Sequence, residues 1–549
     1  MKSSAVRFSV YFFAVATLIG ASAQSQDLES LLDSAETAPA KAPGETEKAP
    51  AMAVESPLAF AIRKSIGAVN AEQRLFLRYV DAAQWDRAVL QFPMAFEGTE
   101  FQKSPTGRAI FGLVEFKAGL PMTGLQTLFM ASNPKEIIPH VTEEWRKMVN
   151  AENNVWDLAK VEWNPAWGEL FDESVGQRLQ VAAALAIPNN SENLLKLSKS
   201  LPTDSAQKMK VDWQLVIDYS VADKADQAGK MLANLMKSSK SPVSRDLMQI
   251  TAARLLFQNA YYDAAIKYYE KVPKKSEYWM EAQEEIGWSF IRKGEPNNAM
   301  AITHSLVRPD LQYQVSPEAY FIRSLAQLKV CDYPGTIESL KVFPKVFKQR
   351  TTSLTSLSEN ADTPEVNKAL SILQSRKANI VDLGKGATLL PRRIFRDEIL
   401  YRAMQSSKDL ENEARIADQL YAKSLALTGL QGSLEALQKA ARSRVQSERN
   451  LALQRVKQLA TEEVSETKEI LRKLHIVEAE VLQAEVLQQV SIAEKIVHNT
   501  SSKIADDKKG TTGYKGTANL VRYPAEDELW FDEISSYRVD IKKACTVKR

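Results

Sequence analysis

Small residues return at a fixed interval between Arg245 and Pro344, and this limits the fold more than any other feature of the chain. Ala253 and Gly287, Ala260 and Gly294, and Ala265 and Ala299 each stand 34 positions apart. Leu256 and Phe290 keep the same step, so bulky residues share the period. A further copy follows with three residues added: Cys331 answers Gly294, Thr336 answers Ala299, and Asp332-Tyr333 repeats the Tyr261-Tyr262 turn. A small residue in each of two antiparallel helices lets their backbones approach. The large apolar residues beside them must be covered by the next pair, because no single pair buries its own face.

This period and register resemble the tetratricopeptide (TPR) repeat. The resemblance implies an all-α fold, an α-α superhelix of stacked hairpins, and a habit of binding peptides or protein surfaces. It names no partner, since a fold does not fix a function. Looser copies lie earlier. Trp85-Asp86-Arg87-Ala88-Val89 looks like the start of a second helix, and 36 residues on Gly112 stands for Phe76, Gly119 for Ala83, Gly124 for Ala88 and Leu128 for Phe92. Phe76 sits where the family prefers a small side chain. Between Ile138 and Met236 the period fades while the helical pattern persists in Ser174–Ile187, Ser191–Leu201, Ala206–Ser220 and Lys224–Met236, separated by Pro, Asn and Asp. A TPR-like α-solenoid over 58–350, its concave side open to a ligand, is the expectation.

Ser353 to Lys385 is polar and reads as a joint with one short helix, within 351–391. A stripe of Ile394, Ile399, Met404, Ile416, Leu420 and Leu425 then leads to Gly429-Leu430-Gln431-Gly432. From Ser433 to Lys509 there is neither glycine nor proline, enough for a helix of roughly 115 Å. Leu471, Leu474, Val481, Leu482, Val486, Val490, Ala493 and Val497 stripe it in an imperfect heptad. A long antiparallel helical hairpin, a coiled-coil-like arm, is expected over 392–509. The final stretch, 510–549, carries Leu520, Tyr523, Trp530, Phe531 and Tyr537, and so many aromatics need a surface to dock on.

Met1 to Ala23 reads as a secretory signal peptide, with Lys2 and Arg7 ahead of an apolar run and Ala21-Ser22-Ala23 at the cleavage position. That run is short for a membrane span, which needs roughly 20 residues. Residues 24–57 form a disordered linker rich in Ala, Pro and Glu. An exported protein of the periplasm or outer envelope, with no stable membrane span once the signal is cleaved, is expected. Removing Lys2 and Arg7 leaves 69 basic against 68 acidic residues, which gives nucleic acid no basic surface. Export permits a bond between the two cysteines, Cys331 and Cys545. Cys331 stands where the repeat wants a small turn residue, so packing is its expected role.

Chemistry is sparse. His140, His304, His475 and His498 have no second His, Cys or carboxylate at zinc-ligand spacing. Gly384-Lys385-Gly386-Ala387-Thr388 lacks both the glycine spacing and the preceding strand of a phosphate loop, and reads as a turn. Asn189-Asn190-Ser191 and Asn499-Thr500-Ser501 match a glycosylation triplet, which decides nothing alone. Trp145, Trp156, Trp163, Trp167 and Phe171 make either an aromatic platform or, as solenoids more often show, inter-helix core. Glu270, Lys271, Lys274 and Lys275 face either a peptide carboxylate or solvent. No catalytic, cofactor-binding or metal site is assigned, and no cofactor. The reading is a non-enzymatic scaffold holding other envelope proteins or peptides through the concave face; its combination of solenoid and arm is similar to TPR proteins of gliding or secretion machines. The other reading is a structural protein whose long helices self-associate or bind cell wall or outer membrane.

Overall fold

The computed structural model describes residues 55–151, 173–187, 190–239, 241–308, 311, 313–375, 380–425, 431–497 and 539. The signal peptide, almost all of the linker, and residues 510–549 apart from Val539 lie outside them. The described residues are all-α, without a strand, and their successive hairpins pack in a way compatible with a superhelix. The helices are α1 (Pro57–Ile66), α2 (Ala71–Asp81), α3 (Trp85–Phe96), α4 (Glu100–Lys103), α5 (Pro105–Lys117), α6 (Pro121–Phe129), α7 (Pro139–Ala151) and α8 (Glu173–Ala186). They continue as α9 (Ser191–Ser200), α10 (Ala206–Val221), α11 (Ala225–Lys237), α12 (Arg245–Gln258), α13 (Tyr262–Tyr269), α14 (Trp279–Lys293) and α15 (Pro296–Leu306). The last are α16 (Glu318–Lys329), α17 (Tyr333–Glu359), α18 (Pro364–Ser375), α19 (Glu398–Ser424) and α20 (Gln431–Val497). One compact unit takes in 17–188 and 410–442; the other takes in 189–409 and 443–549.

One turn recurs throughout. Ala83, Gly119, Asp223, Ala260, Gly294 and Cys331 all adopt the left-handed backbone, with φ of 52°, 90°, 58°, 63°, 79° and 58°. Each joins the first helix of a hairpin to the second. The next residue donates its N–H to the carbonyl five positions back, as in Gln84 to Tyr79, Lys224 to Tyr219, Tyr261 to Leu256 and Asp332 to Gln327, at 2.8 to 2.9 Å. This is the Schellman stop, which satisfies orphan carbonyls at a helix end and reverses the chain at once. Five residues past each turn comes a small buried residue: Ala88, Gly124, Ala228, Ala265, Ala299 and Thr336. Asp223 with Ala228 shows that the hairpin α10–α11, in the stretch where the period faded, obeys the same rule. Val216 there replaces the small residue of the first helix, which hid the copy.

In the unit containing α1 to α8, α5 and α6 approach most closely. A Cβ on Gly112 would lie 2.4 Å from the Gly124 carbonyl oxygen, and one on Gly124 equally near the Gly112 oxygen. Phe76 fills its off-pattern place with edge-on contacts to Phe92 and Phe96 at 5.5 Å. The Glu413 carboxylate of α19 accepts the Met122 and Thr123 N–H groups at 3.0 Å each, and the Thr123 hydroxyl also donates to it. It caps α6, whose own Leu120 offers no capping side chain.

In the other unit, the stretch 351–391 is more than a joint. α17 runs on to Glu359 past Pro344, so Ser353 to Glu359 is helical. Leu354, Leu357, Val366, Leu370, Leu373, Leu383 and Leu390 then form a core with Ala452, Val456 and Ala460 of α20. The hydroxyls of Thr352, Ser353 and Thr355 bond carbonyls one turn back, while Leu354 and Leu357 anchor this polar segment of the helix in the core. Gly384, at φ 55°, lies in a 3-10 turn (Ile380–Leu389) and follows no strand. Cys331 is disulfide-bonded, against the packing role expected for it; the chain's other cysteine, Cys545, lies outside the described residues.

Candidate protein-interaction face

The first helices α12, α14 and α16 carry a row of charged and aromatic groups within one unit. Helical spacing puts Glu281, Glu284 and Glu285 close together on α14, at positions i, i+3 and i+4. Arg254 of α12 clasps Glu285 through Nε at 3.0 Å and Nη2 at 2.6 Å, and reaches Glu281 at 2.9 Å. Burial alone would raise the Glu281 carboxyl, but Arg254, Arg393 and Arg396 hold it well below the usual range. Glu285 goes the other way: burial outweighs Arg254 and pushes it up. Glu284 accepts the Ser316 N–H at 2.7 Å, and burial pushes its carboxyl up to about 7 against the pull of Arg392. On the neighbouring helix, Glu318 accepts the Trp288 indole N–H at 3.1 Å.

This face is not open over α14 to α17. The segment after Pro391 and the middle of α20 lie on it. Arg350 of α17 donates to Glu463 of α20 at 2.6 Å and to the carbonyl of Leu390 at 3.0 Å. Glu463 also accepts the Arg392 N–H at 2.9 Å, while the Arg392 guanidinium grips Glu466 at 2.6 and 2.8 Å. Burial works against the Glu463 charge, yet Arg350 and Arg392 keep its carboxyl below the usual range. Arg455 closes on Asp397 at 2.7 Å, both side chains 8% exposed. Apolar contacts continue the seam: Ile470 and Leu474 meet Tyr320, Phe343 and Phe347, and Val477 and Val481 meet Leu328. This part of the repeats is therefore covered by the chain's own segment after Pro391 and by the middle of α20.

The candidates singled out from the sequence stand apart from this network. Trp145 is core: buried, edge-on to Phe116 at 5.5 Å, its indole N–H donated to the Ala109 carbonyl at 2.9 Å. Trp156, Trp163, Trp167 and Phe171 lie outside the described residues. Glu270, Lys271, Lys274 and Lys275 are exposed, and Lys271 stacks over Tyr268 at 4.2 Å. His304 sits 3.4 Å from Arg323, and burial, then Arg323 and Arg308, lower it to about 3. His475 is exposed beside Glu478, His140 is half-buried, and His498 is outside the described residues. No group of metal-ligating side chains occurs among the described residues. No described helix is long and apolar enough to cross a membrane. Val539 packs on the cluster of Trp288, Ile291 and Ile322.

Arg254, Arg350, Arg392 and the glutamates facing them went unread in the sequence. The available signal was complementarity: three glutamates in one turn of the clearest repeat, and Arg392-Arg393 with Arg396 directly after Pro391. No protein-family model matches this chain, and no curated protein matches it.

Proposed function

We propose that this chain is a non-enzymatic, TPR-like scaffold that mediates protein–protein interactions in a bacterial cell envelope, within an assembly such as one for motility or secretion. The observation that carries the reading is the recurring hairpin, with six left-handed turns each followed five residues later by a small buried residue. Such stacking generates long repetitive surfaces, and those surfaces serve recognition better than chemistry. The export part rests on the leader-like first 23 residues. With the segment after Pro391 against α14 and the middle of α20 against α16 and α17, the surface left for partners is the exposed remainder of 58–350, including Tyr261 and the lysines near it. Crosslinking in the exporting cell with mass spectrometry tests this. Crosslinks to other envelope proteins from 58–350 are expected; crosslinks confined to α20 contradict it.

A second reading is a structural protein that self-associates through its long helices. The observation that favours it is an exposed apolar face near the end of α20: Leu482, Val486, Leu487 and Val490 are 55%, 57%, 46% and 48% exposed.

A further inference from the structure

In the unit of the clear repeats, α14 and α16 share a core of Trp288, Ile291, Ile322, Ala326 and Val330. Phe257 of α12, Phe290 of α14, and Phe321 and Leu325 of α16 border that core and are only half-buried. Three successive first helices thus bring large apolar side chains to one cluster that none of them covers fully. A border of this kind gains from a further covering chain. Val539, itself half-buried, packs against the same cluster. It belongs to the C-terminal stretch whose sequence carries Trp530, Phe531, Ile534 and Tyr537.

A second, independent observation leads to the same place. Cys331 directly follows Val330 of this core, in the left-handed turn between α16 and α17, and it is disulfide-bonded. The sequence holds one other cysteine, Cys545, six residues beyond Val539. Ile322, Ala326 and Val330 step by four along one face of α16, a run of about 12 Å that ends at Cys331. Six residues of chain reach up to about 20 Å, and bonded cysteines bring their Cα atoms within about 7 Å. A chain that lays Val539 on this core can therefore reach the Cys331 turn without leaving the repeats.

We propose that the face bordered by Phe257, Phe290, Phe321 and Leu325 is a peptide-binding face whose occupant is this chain's own C-terminal segment, residues 530–545, tied down by a bond between Cys331 and Cys545. Closing the bond takes two protons and two electrons from the two thiols. A disulfide oxidant such as oxidised glutathione accepts them and becomes two thiols. An outside protein aimed at this face must displace a segment whose tether keeps its local concentration high. The inference concerns this chain alone, so it stands or falls apart from the scaffold reading and its crosslinks.

Proteolysis of the full mature chain, oxidised with glutathione disulfide and kept free of reductant, should yield one linked peptide pair containing Cys331 and Cys545 by mass spectrometry. Hydrogen exchange on the same oxidised chain, and on Val539→Asp, then reads the docking. Amides of 534–545 should exchange at least about tenfold more slowly in the wild type than in the variant, as packed chain does against chain that is merely tethered. The variant keeps both cysteines, so its lost protection reports packing and not the bond. Leu325→Asp, the reciprocal change on α16, should lose the same protection; if it misfolds, Val539→Asp decides. Both cysteines recovered as free thiols, or bonded to cysteines of other chains, overturns the inference. So does exchange of 534–545 that is equally fast in wild type and Val539→Asp with the bond intact.

Discussion

At Glu284 the cost of burying a carboxylate is open to measurement. The side chain lies inside the seam, hydrogen-bonded to Ser316, with its proton held up to about 7 against an ordinary 4.5. A carboxyl raised in the folded state binds its proton more tightly there than in the unfolded chain. Its favourable contribution is full below about pH 4.5, fades through the window up to 7, and is gone above it. Glu284→Gln keeps an acceptor for Ser316 and removes the charge. Chemical denaturation should find the variant more stable than wild type at pH 8, on the order of 2 kcal/mol, with the gap closing below pH 5. An unchanged pH profile would show that Glu284 is solvated. His304 works in the opposite direction: it is lowered to about 3, so its neutral form is favoured in the fold, and stability is lost as pH falls from 6.5 toward 3.

At the scale of the element, the hairpin depends on two features: a left-handed turn and a close crossing. Gly124 supplies the crossing in α5–α6, where a Cβ would meet the Gly112 carbonyl oxygen at 2.4 Å and the Phe116 nitrogen at 2.8 Å. Both obstacles are backbone and cannot swing aside. Gly124→Ala should therefore cost about 2 kcal/mol or more, read as a lowered denaturation midpoint, although alanine is the better helix former by about 1 kcal/mol. A neutral result would place the two helices further apart.

Those features also explain what the sequence disclosed. The 34-residue register exposed the hairpins from Ala253 to Thr336 because small residues at crossings admit few replacements. It failed at α10–α11, where Val216 fills the crossing and only Asp223 and Ala228 keep step. It failed again at 351–391, whose Ser and Thr hydroxyls bond their own helix and make a buried element look like a linker. The charged seam was illegible for a different reason. Glu463 and Arg350 look like any solvated pair until the fold brings together residues 113 apart.

For the molecule as a whole, the long helix from residue 443 onward belongs to one unit, seated against its repeats with Glu463 and Arg455 buried. Arg350 and Glu463 are 5% and 6% exposed. Removing one partner leaves the other charge buried and unpaired, so Glu463→Leu alone should cost about 3–5 kcal/mol. Arg350→Met with Glu463→Leu should recover most of that loss, because a matched apolar pair removes both desolvation penalties. Additive losses in the double variant would mean that the two side chains do not meet.

Hydrogen exchange across α20 in the full chain tests the seating most directly. Amides of Glu463–Val481 should be protected as strongly as those of α16 and the first half of α17, because opening them requires breaking the same core. Fast exchange there, as in a helix standing free in water, would contradict the account.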